Sequence, residues 1–216
     1  MRAVQRDSNS FIVEDPPSYP EFWDHFADGR WEPETFDIFR KHIKAEDTFV
    51  DVGAWIGPTA LYASTLCKKV VAVEPDPVAF RQLDRHVEIN DRRRCIELRQ
   101  LAITDFNGDI QLGSDILGNS ETRSGNSRNR FGVQCCTLRK LLDCIPGSLF
   151  IKMDIEGGEE TVLRSSLEVI EERKPVLYVS LHPWLYVDTL VMEHHLKRLI
   201  SLYSKTEWHK NAVVLS

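Results

Sequence analysis

The apolar positions along the chain change period repeatedly. From Pro33 a helix is predicted, because Phe36, Phe39 and Ile43 fall on one helical face and proline is favourable in a first turn. Thr48–Val52 is a short, nearly continuous apolar run and reads as a buried strand. Pro58–Leu66 returns to helical spacing, Lys69–Val73 to a strand, and Pro77–Ile89 to a helix with Phe80, Leu83 and Val87 on one face. Ile96–Ile103 is predicted as a third strand. Short apolar strands alternating with amphipathic helices indicate βαβ units and a parallel sheet. The alternation resumes with a strand at Leu149–Asp154, a helix at Glu159–Glu171, a strand at Pro175–Leu181 and a helix at Asp188–Tyr203. Thr206–Leu215 has room for one or two closing strands. The predicted fold is α/β: a three-layer α/β/α domain of Rossmann-like order.

Three stretches depart from the alternation. Residues 1–20 are polar and end in Pro16-Pro17-Ser18-Tyr19-Pro20, which predicts an arm without regular structure. Residues 21–31 hold Phe22, Trp23, Phe26 and Trp31, too many aromatics for a free tail. Residues 1–31 are therefore read as an extension packed on a 32–216 body. In the middle, Asp105-Phe106-Asn107-Gly108-Asp109 is a turn signal, with Ile110–Leu112 expected to complete a hairpin. Residues 113–130 are rich in Gly, Ser, Asn and Arg; so long a polar connection is expected to be a mobile lid or otherwise poorly ordered. Val133–Thr137 then suggests a strand, and Leu138, Leu141 and Leu142 a short helix.

Composition excludes more than it selects. The 216 residues are 42% hydrophobic and 28% charged, enough for a core without metal or disulfide support. A net charge of −6 argues against a nucleic-acid partner, since phosphate neutralisation needs a basic face. Met1–Pro20 lacks the apolar run of a signal peptide, and no stretch is apolar enough to span a membrane. Cys67, Cys95, Cys135, Cys136 and Cys144 are odd in number and include an adjacent pair but no CxxC; reduced thiols in a cytoplasmic protein are expected.

The chemistry lies where the strands end. In an open α/β sheet, ligands bind beyond the carboxyl ends of the strands. The first such strand runs into Asp51-Val52-Gly53-Ala54-Trp55-Ile56-Gly57, the next into Glu74, and a later one into Asp154-Ile155-Glu156-Gly157. A glycine turn followed by an acid at the next strand end suits a nucleoside cofactor, with the acid accepting ribose hydroxyls. Dinucleotides and S-adenosylmethionine compete for this pattern. The dinucleotide fingerprint is G-x-G-x-x-G with phosphate on the helix N-terminus; here Trp55 stands at the second glycine, and Pro58 removes a donor. Asp51, Glu74, Asp154 and Glu156 would repel pyrophosphate but attract a sulfonium and an ammonium. S-adenosylmethionine is the better fit. A nicotinamide-dependent oxidoreductase and a non-catalytic module that kept the cofactor fold are the competing readings.

Phe49–Gly57, Glu74-Pro75, Asn90, Ala102 followed by Asp105 and Gly108, and Ile151-Lys152-Met153-Asp154-Ile155-Glu156-Gly157-Gly158-Glu159 together resemble the FkbM family of class I methyltransferases over about residues 32–182. The resemblance implies a seven-stranded sheet with one antiparallel strand. It also implies methyl transfer from S-adenosylmethionine, commonly to a hydroxyl of a sugar, polyketide or related small molecule. Cofactor contacts then fall on Asp51, Gly53, Ala54, Trp55 and Gly57, on Glu74, Pro75 and Ala102, and on Asp154 and Glu156. Asp154, His182 and Lys152 are the catalytic candidates, with Asp154 ahead of His182 as proton acceptor and Lys152 also readable as the buried partner of an acid. No metal-ligand spacing is evident, so no metal is expected. Many family members close the strand before Leu181 with a glutamate; here the run is Tyr178-Val179-Ser180-Leu181-His182-Pro183. The expected partner is a small-molecule or glycan hydroxyl acceptor. Arg123, Arg128 and Arg130 are candidates for contacting an anionic one.

Overall fold

A computed structural model describes residues 1–123, 127–186 and 189–216. The chain opens with a hairpin, β1 (Arg2–Arg6) and β2 (Asn9–Val13), then two helices, α1 (Phe22–Ala27) and α2 (Pro33–His42). The alternating part follows as β3 (Thr48–Val52), α3 (Pro58–Ala63), β4 (Lys69–Val73), α4 (Pro77–Ile89) and β5 (Ile96–Arg99). An insertion comprises β6 (Ala102–Thr104), β7 (Gly108–Ser114) and β8 (Asn129–Thr137). The rest is α5 (Leu138–Leu142), β9 (Leu149–Met153), α6 (Glu159–Arg173), β10 (Val176–Ser180), α7 (Thr189–Ile200), β11 (Thr206–His209) and β12 (Ala212–Leu215).

The main sheet has seven strands in the order β11-β12-β10-β9-β3-β4-β5, and β12 alone runs against its neighbours. Strand alternation divides the interior in two. Phe49, Val70, Ala72, Phe150, Tyr178 and Val214 face one core. Val50, Val52, Val71, Val73, Ile151, Met153, Leu177 and Val179 face the other. Leu163, Ile170, Met192 and Leu199 of α6 and α7 fill the second core, with Leu138 and Leu142 of α5. Phe22, Trp23 and Phe26 of α1, Phe36 and Phe39 of α2, and residues of α3 and α4 fill the first. The Phe39 ring lies 5.0 Å from Phe49 and 5.6 Å from Phe150. The N-terminal helices thus supply part of one outer layer.

Several expectations need correction. Residues 1–20 do not form an unstructured arm. Arg2–Arg6 pairs with Asn9–Val13, and Val4, Phe11 and Val13 are buried in the first core. The apolar alternation is masked because Arg2 and Arg6 share the inward side with Val4, while apolar Ala3 and Ile12 point outward with Gln5 and Ser10. The single strand expected over Ile96–Ile103 is broken: β5 joins the main sheet, while β6 joins a separate three-stranded sheet. In that sheet the hairpin partner of β7 is β8, and β6 lies parallel to β8. Adjacent Cys135 and Cys136 point to opposite sides of β8, into different apolar clusters.

The described residues of the 113–130 connection touch the body at several points. Gly113 and Ser114 belong to β7, Asn129 and Arg130 to β8, and Gly113 exchanges both backbone hydrogen bonds with Arg123. Asp76 accepts the Gly118 N–H at 2.9 Å, and the Trp55 indole N–H donates to the Gly118 carbonyl at 2.8 Å. Polar side chains of the body, rather than apolar burial, hold this segment down. Ser124–Asn126 of the expected lid, and Asp188 at the start of the last expected helix, lie outside the described residues. Among the described residues no helix is long and apolar enough to cross a membrane.

Candidate active site

The chain leaves β3 toward β4 and β5 on one side, and returns to β9 and β10 on the other. This reversal opens a crevice at the carboxyl ends of β3 and β9. A cavity of about 880 Å³ occupies it. Its wall includes Gly53, Ala54, Trp55, Glu74, Pro75, Ala102, Lys152, Asp154, Glu156 and His182. Asp51 and Gly57 are not on that wall.

Parallel register explains the position of Asp51. Asp51 of β3 lies directly beside Lys152 of β9, so the two side chains emerge from the same face. Asp51 is wholly buried, accepts a hydrogen bond from Thr59 Oγ1 at 2.6 Å, and lies 3.2 Å from Lys152 Nζ. Lys152 also donates to the Gly53 carbonyl at 3.1 Å and lies 3.5 Å from Asp154 Oδ2. Burial works against the lysine charge, but Asp51, Asp154 and Glu32 together outweigh it and raise the ammonium pKa above its usual value. These acids favour the charged form of Lys152.

The glycine turn is built for close approach. Gly53 has φ +84°, and a Cβ there would sit 1.8 Å from the Asp154 carbonyl oxygen. Gly57 has φ +95°, and its Cβ would meet Leu83. The turn's amides are already engaged. Gly53 and Ala54 both donate to the Val73 carbonyl, and Gly57 to Ala54. Trp55 N–H donates to Glu74 Oε2, and Asp76 N–H to Glu74 Oε1, each at 2.8 Å. With four of its amides spent in this way, the turn has few donors left for a pyrophosphate. Burial pushes the Glu74 carboxyl up to about 7, against the two N–H bonds that favour its charge.

At the other end, Asp154, Glu156 and His182 converge. His182 Nε2 lies 3.5 Å from Asp154 Oδ1 and 3.9 Å from Glu156 Oε2. His182 Nδ1 lies 3.0 Å from Glu159 Oε1. Burial opposes the imidazolium, yet Glu159, Asp154 and Glu156 prevail and hold its pKa up to about 9. Burial, partly offset by His182, raises the Glu156 carboxyl to about 7.

Sequence reasoning gave no role to Glu159 or Glu32. Glu159 is fully buried and accepts the N–H groups of Ile155 and Gly157, both at 2.9 Å, besides facing His182. It therefore fixes the loop that carries Asp154 and Glu156. Its sequence signal was present, an acid in the first turn of a helix directly after the strand-end acids. Glu32 lines the cavity at a left-handed φ of +43°. Burial and then Asp154 push its carboxyl up to about 7. No local pattern marks Glu32. Tyr19, Phe22 and Trp31 also line the cavity, and Phe22 packs 4.6 Å from the Trp55 ring.

Residues 51–201, more than two thirds of the chain, match the family described as Methyltransferase FkbM domain. The chain belongs to the FkbM methyltransferase family. S-adenosylmethionine is the cofactor that goes with this assignment. The fold of this chain is similar to that of an FkbM methyltransferase from Methylobacillus flagellatus KT. That match has a TM-score of 0.55 at 17% identity, covering 94% of this chain and 56% of that one. The chain therefore spans little more than half the length of that protein. It is also similar in fold to a candidate methyltransferase from Streptococcus mutans determined in complex with SAH (TM-score 0.52, 9% identity, 85% of this chain and 97% of that one). No curated protein matches the chain.

Proposed function

We propose that this FkbM methyltransferase acts on oxygen, transferring a methyl group to a hydroxyl of a small molecule or glycan. The observation that carries the reading is the surplus of carboxylates around one buried lysine at the strand-end crevice. Glu32, Asp154 and Glu156 line the cavity with Glu74, against the Lys152 ammonium and the His182 imidazolium. Such a site favours a cationic ligand, and its volume lies within the range of sites for ligands of nucleoside size. When bound, S-adenosylmethionine supplies an electrophilic methyl group for in-line displacement.

The chain's own residues then have distinct tasks. Glu74, beyond β4, suits the adenosine side: its buried carboxylate already accepts two N–H groups and has lone pairs left for hydroxyls. Gly53 lets the turn pack directly against the Asp154 backbone, which brings the Asp154 loop and the Gly53-Ala54 wall of the cavity together. Asp51 acts at one remove, holding Lys152. Asp154 is the first carboxylate beyond buried β9, between the Lys152 and His182 cations, and is assigned as the acceptor of the hydroxyl proton. His182 is charged at neutral pH, so it serves as an electrostatic partner of Asp154 rather than as the base. Positioned acid–base groups contribute about 10²–10⁴-fold in rate. The Trp55, Phe22, Trp31 and Tyr19 rings supply apolar faces on which an acceptor ring can lie.

The test has two arms. SAH should raise the melting temperature while NAD and ATP do not, since only a native-state ligand stabilises; an equal shift with NAD would overturn the cofactor reading. Radiolabelled S-adenosylmethionine is then offered to a panel of hydroxyl, amine and carboxylate acceptors. Label transfer confined to amines would overturn O-methylation while leaving the family assignment standing.

A further inference from the structure

The geometry points to a divalent-cation site formed by Asp154, Glu156 and His182 on the acceptor side of the cavity, suited to Mg²⁺ or Mn²⁺. This rests on the methyltransferase reading only for its role, not for its existence. One ligand atom from each residue lies within 4.8 Å of the other two, with the His182 pairs at 3.5 and 3.9 Å. Ligands about 2.1 Å from a common octahedral ion stand roughly 3 Å apart when adjacent and 4.2 Å when opposite. Small rotations of two partly exposed carboxylates would bring all three atoms onto one ion.

The surroundings are those of a supported site rather than a loose acidic patch. His182 turns Nδ1 to the fully buried Glu159 at 3.0 Å, which leaves Nε2 as the ligating nitrogen. Metal-bound histidines are typically oriented in this way by a carboxylate on the other nitrogen. Glu159 is itself immobilised by the Ile155 and Gly157 N–H groups, so one buried side chain aligns both the histidine and the loop bearing the two carboxylates. Two carboxylates and one imidazole favour a hard or borderline divalent ion over a thiophilic one. The proton on Nε2 leaves as the ion enters, since the ligating imidazole is neutral; the ion then replaces the imidazolium as the cation beside Asp154 Oδ1, and Oδ2 remains for the hydroxyl proton. Three protein ligands leave positions open toward the cavity. An acceptor presenting two neighbouring oxygens, as a vicinal diol does, could occupy them.

The experiment is calorimetric titration of Mn²⁺ into the chelator-treated 216-residue chain at pH 8. The expected result is one saturable site per chain. E156Q and H182Q should each weaken it by about tenfold or more, and E159Q by about 10–100-fold through loss of the orienting carboxylate. E160Q, a cavity acid outside the triad, should leave it unchanged. Absence of a saturable site overturns the proposal. So does equal weakening by E160Q and E156Q, which would mean diffuse attraction to an acidic surface. Urea unfolding checks that each variant is folded, and E156Q, partly exposed, keeps the test decisive if H182Q is not. SAH binding to the wild type in excess chelator separates the two readings. SAH binding without a manganese site removes only the metal, and a triad-dependent manganese site without SAH binding removes only the cofactor reading.

Discussion

Replacing Lys152 by methionine isolates the electrostatics of the site from its packing. The side chains are similar in length, and Lys152 is almost entirely buried beside the wholly buried Asp51. Removing one partner of a buried pair commonly costs about 3–5 kcal/mol, because the other charge is left without compensation. Here the loss has a ceiling. Asp51 can take up a proton, and doing so at pH 7 from an unfolded-state pKa near 3.9 costs about 4 kcal/mol. We therefore expect Lys152→Met to destabilise the protein by roughly 3–4 kcal/mol at pH 7, a shift in melting temperature of about 6–16 °C for a chain of this size. The sign with pH follows. Burial already raises the Asp51 carboxyl with Lys152 in place, and removing the ammonium raises it further, so the added penalty is small near pH 4 and grows as pH rises. At pH 5 it should fall to about 1.5 kcal/mol. Urea unfolding at pH 5 and 7, on Lys152→Met, Asp51→Asn and the double variant, measures this. The double variant should regain most of the loss and show little pH dependence. A loss that is the same at both pH values, or the same in the Asp51→Asn background, would show that packing and not charge is at stake.

Glu74 must be ionised to accept ribose hydroxyls while holding two N–H groups, and its carboxyl sits at about 7. SAH affinity should therefore rise about tenfold per pH unit up to pH 7 and level off above it, and Glu74→Gln should remove one proton from that dependence; calorimetry between pH 5.5 and 8.5 that finds identical slopes would count against the ribose role. Asp154→Asn should cut turnover by about 10²-fold or more while SAH affinity changes less than about tenfold. Loss of SAH binding instead would move Asp154 into the cofactor pocket. Glu159→Gln should lower the His182 pKa from about 9 by a unit or more, read by NMR titration of the ring protons, because the histidine loses its nearest carboxylate.

The alternation of apolar strands and helices, the parallel sheet and the strand-end acids could all be read from the chain, since period and turn residues are local properties. Gly53, Glu74 and Asp154 were legible as rim residues for the same reason: each directly follows an apolar run, and α/β topology sends those ends to one edge. Which face a rim-proximal side chain takes is not local. Asp51, one residue before the strand's end, turns into the core and meets Lys152 only because β3 and β9 pair in that register. The hairpin at Arg2–Val13 pairs locally, but the core that buries its Val4, Phe11 and Val13, and the split between β5 and β6, depended on residues far along the chain. Glu32 enters the cavity through a left-handed backbone and the packing of α1 and α2 on the sheet, neither of which has a sequence period. Glu159 stood in view as a first-turn acid, but its three partners are backbone amides and a histidine brought in by β10. Local spacing can put an acid at a strand end; only the assembled sheet decides which charges it must share space with, and so which stay buried as partners and which are left facing the cavity.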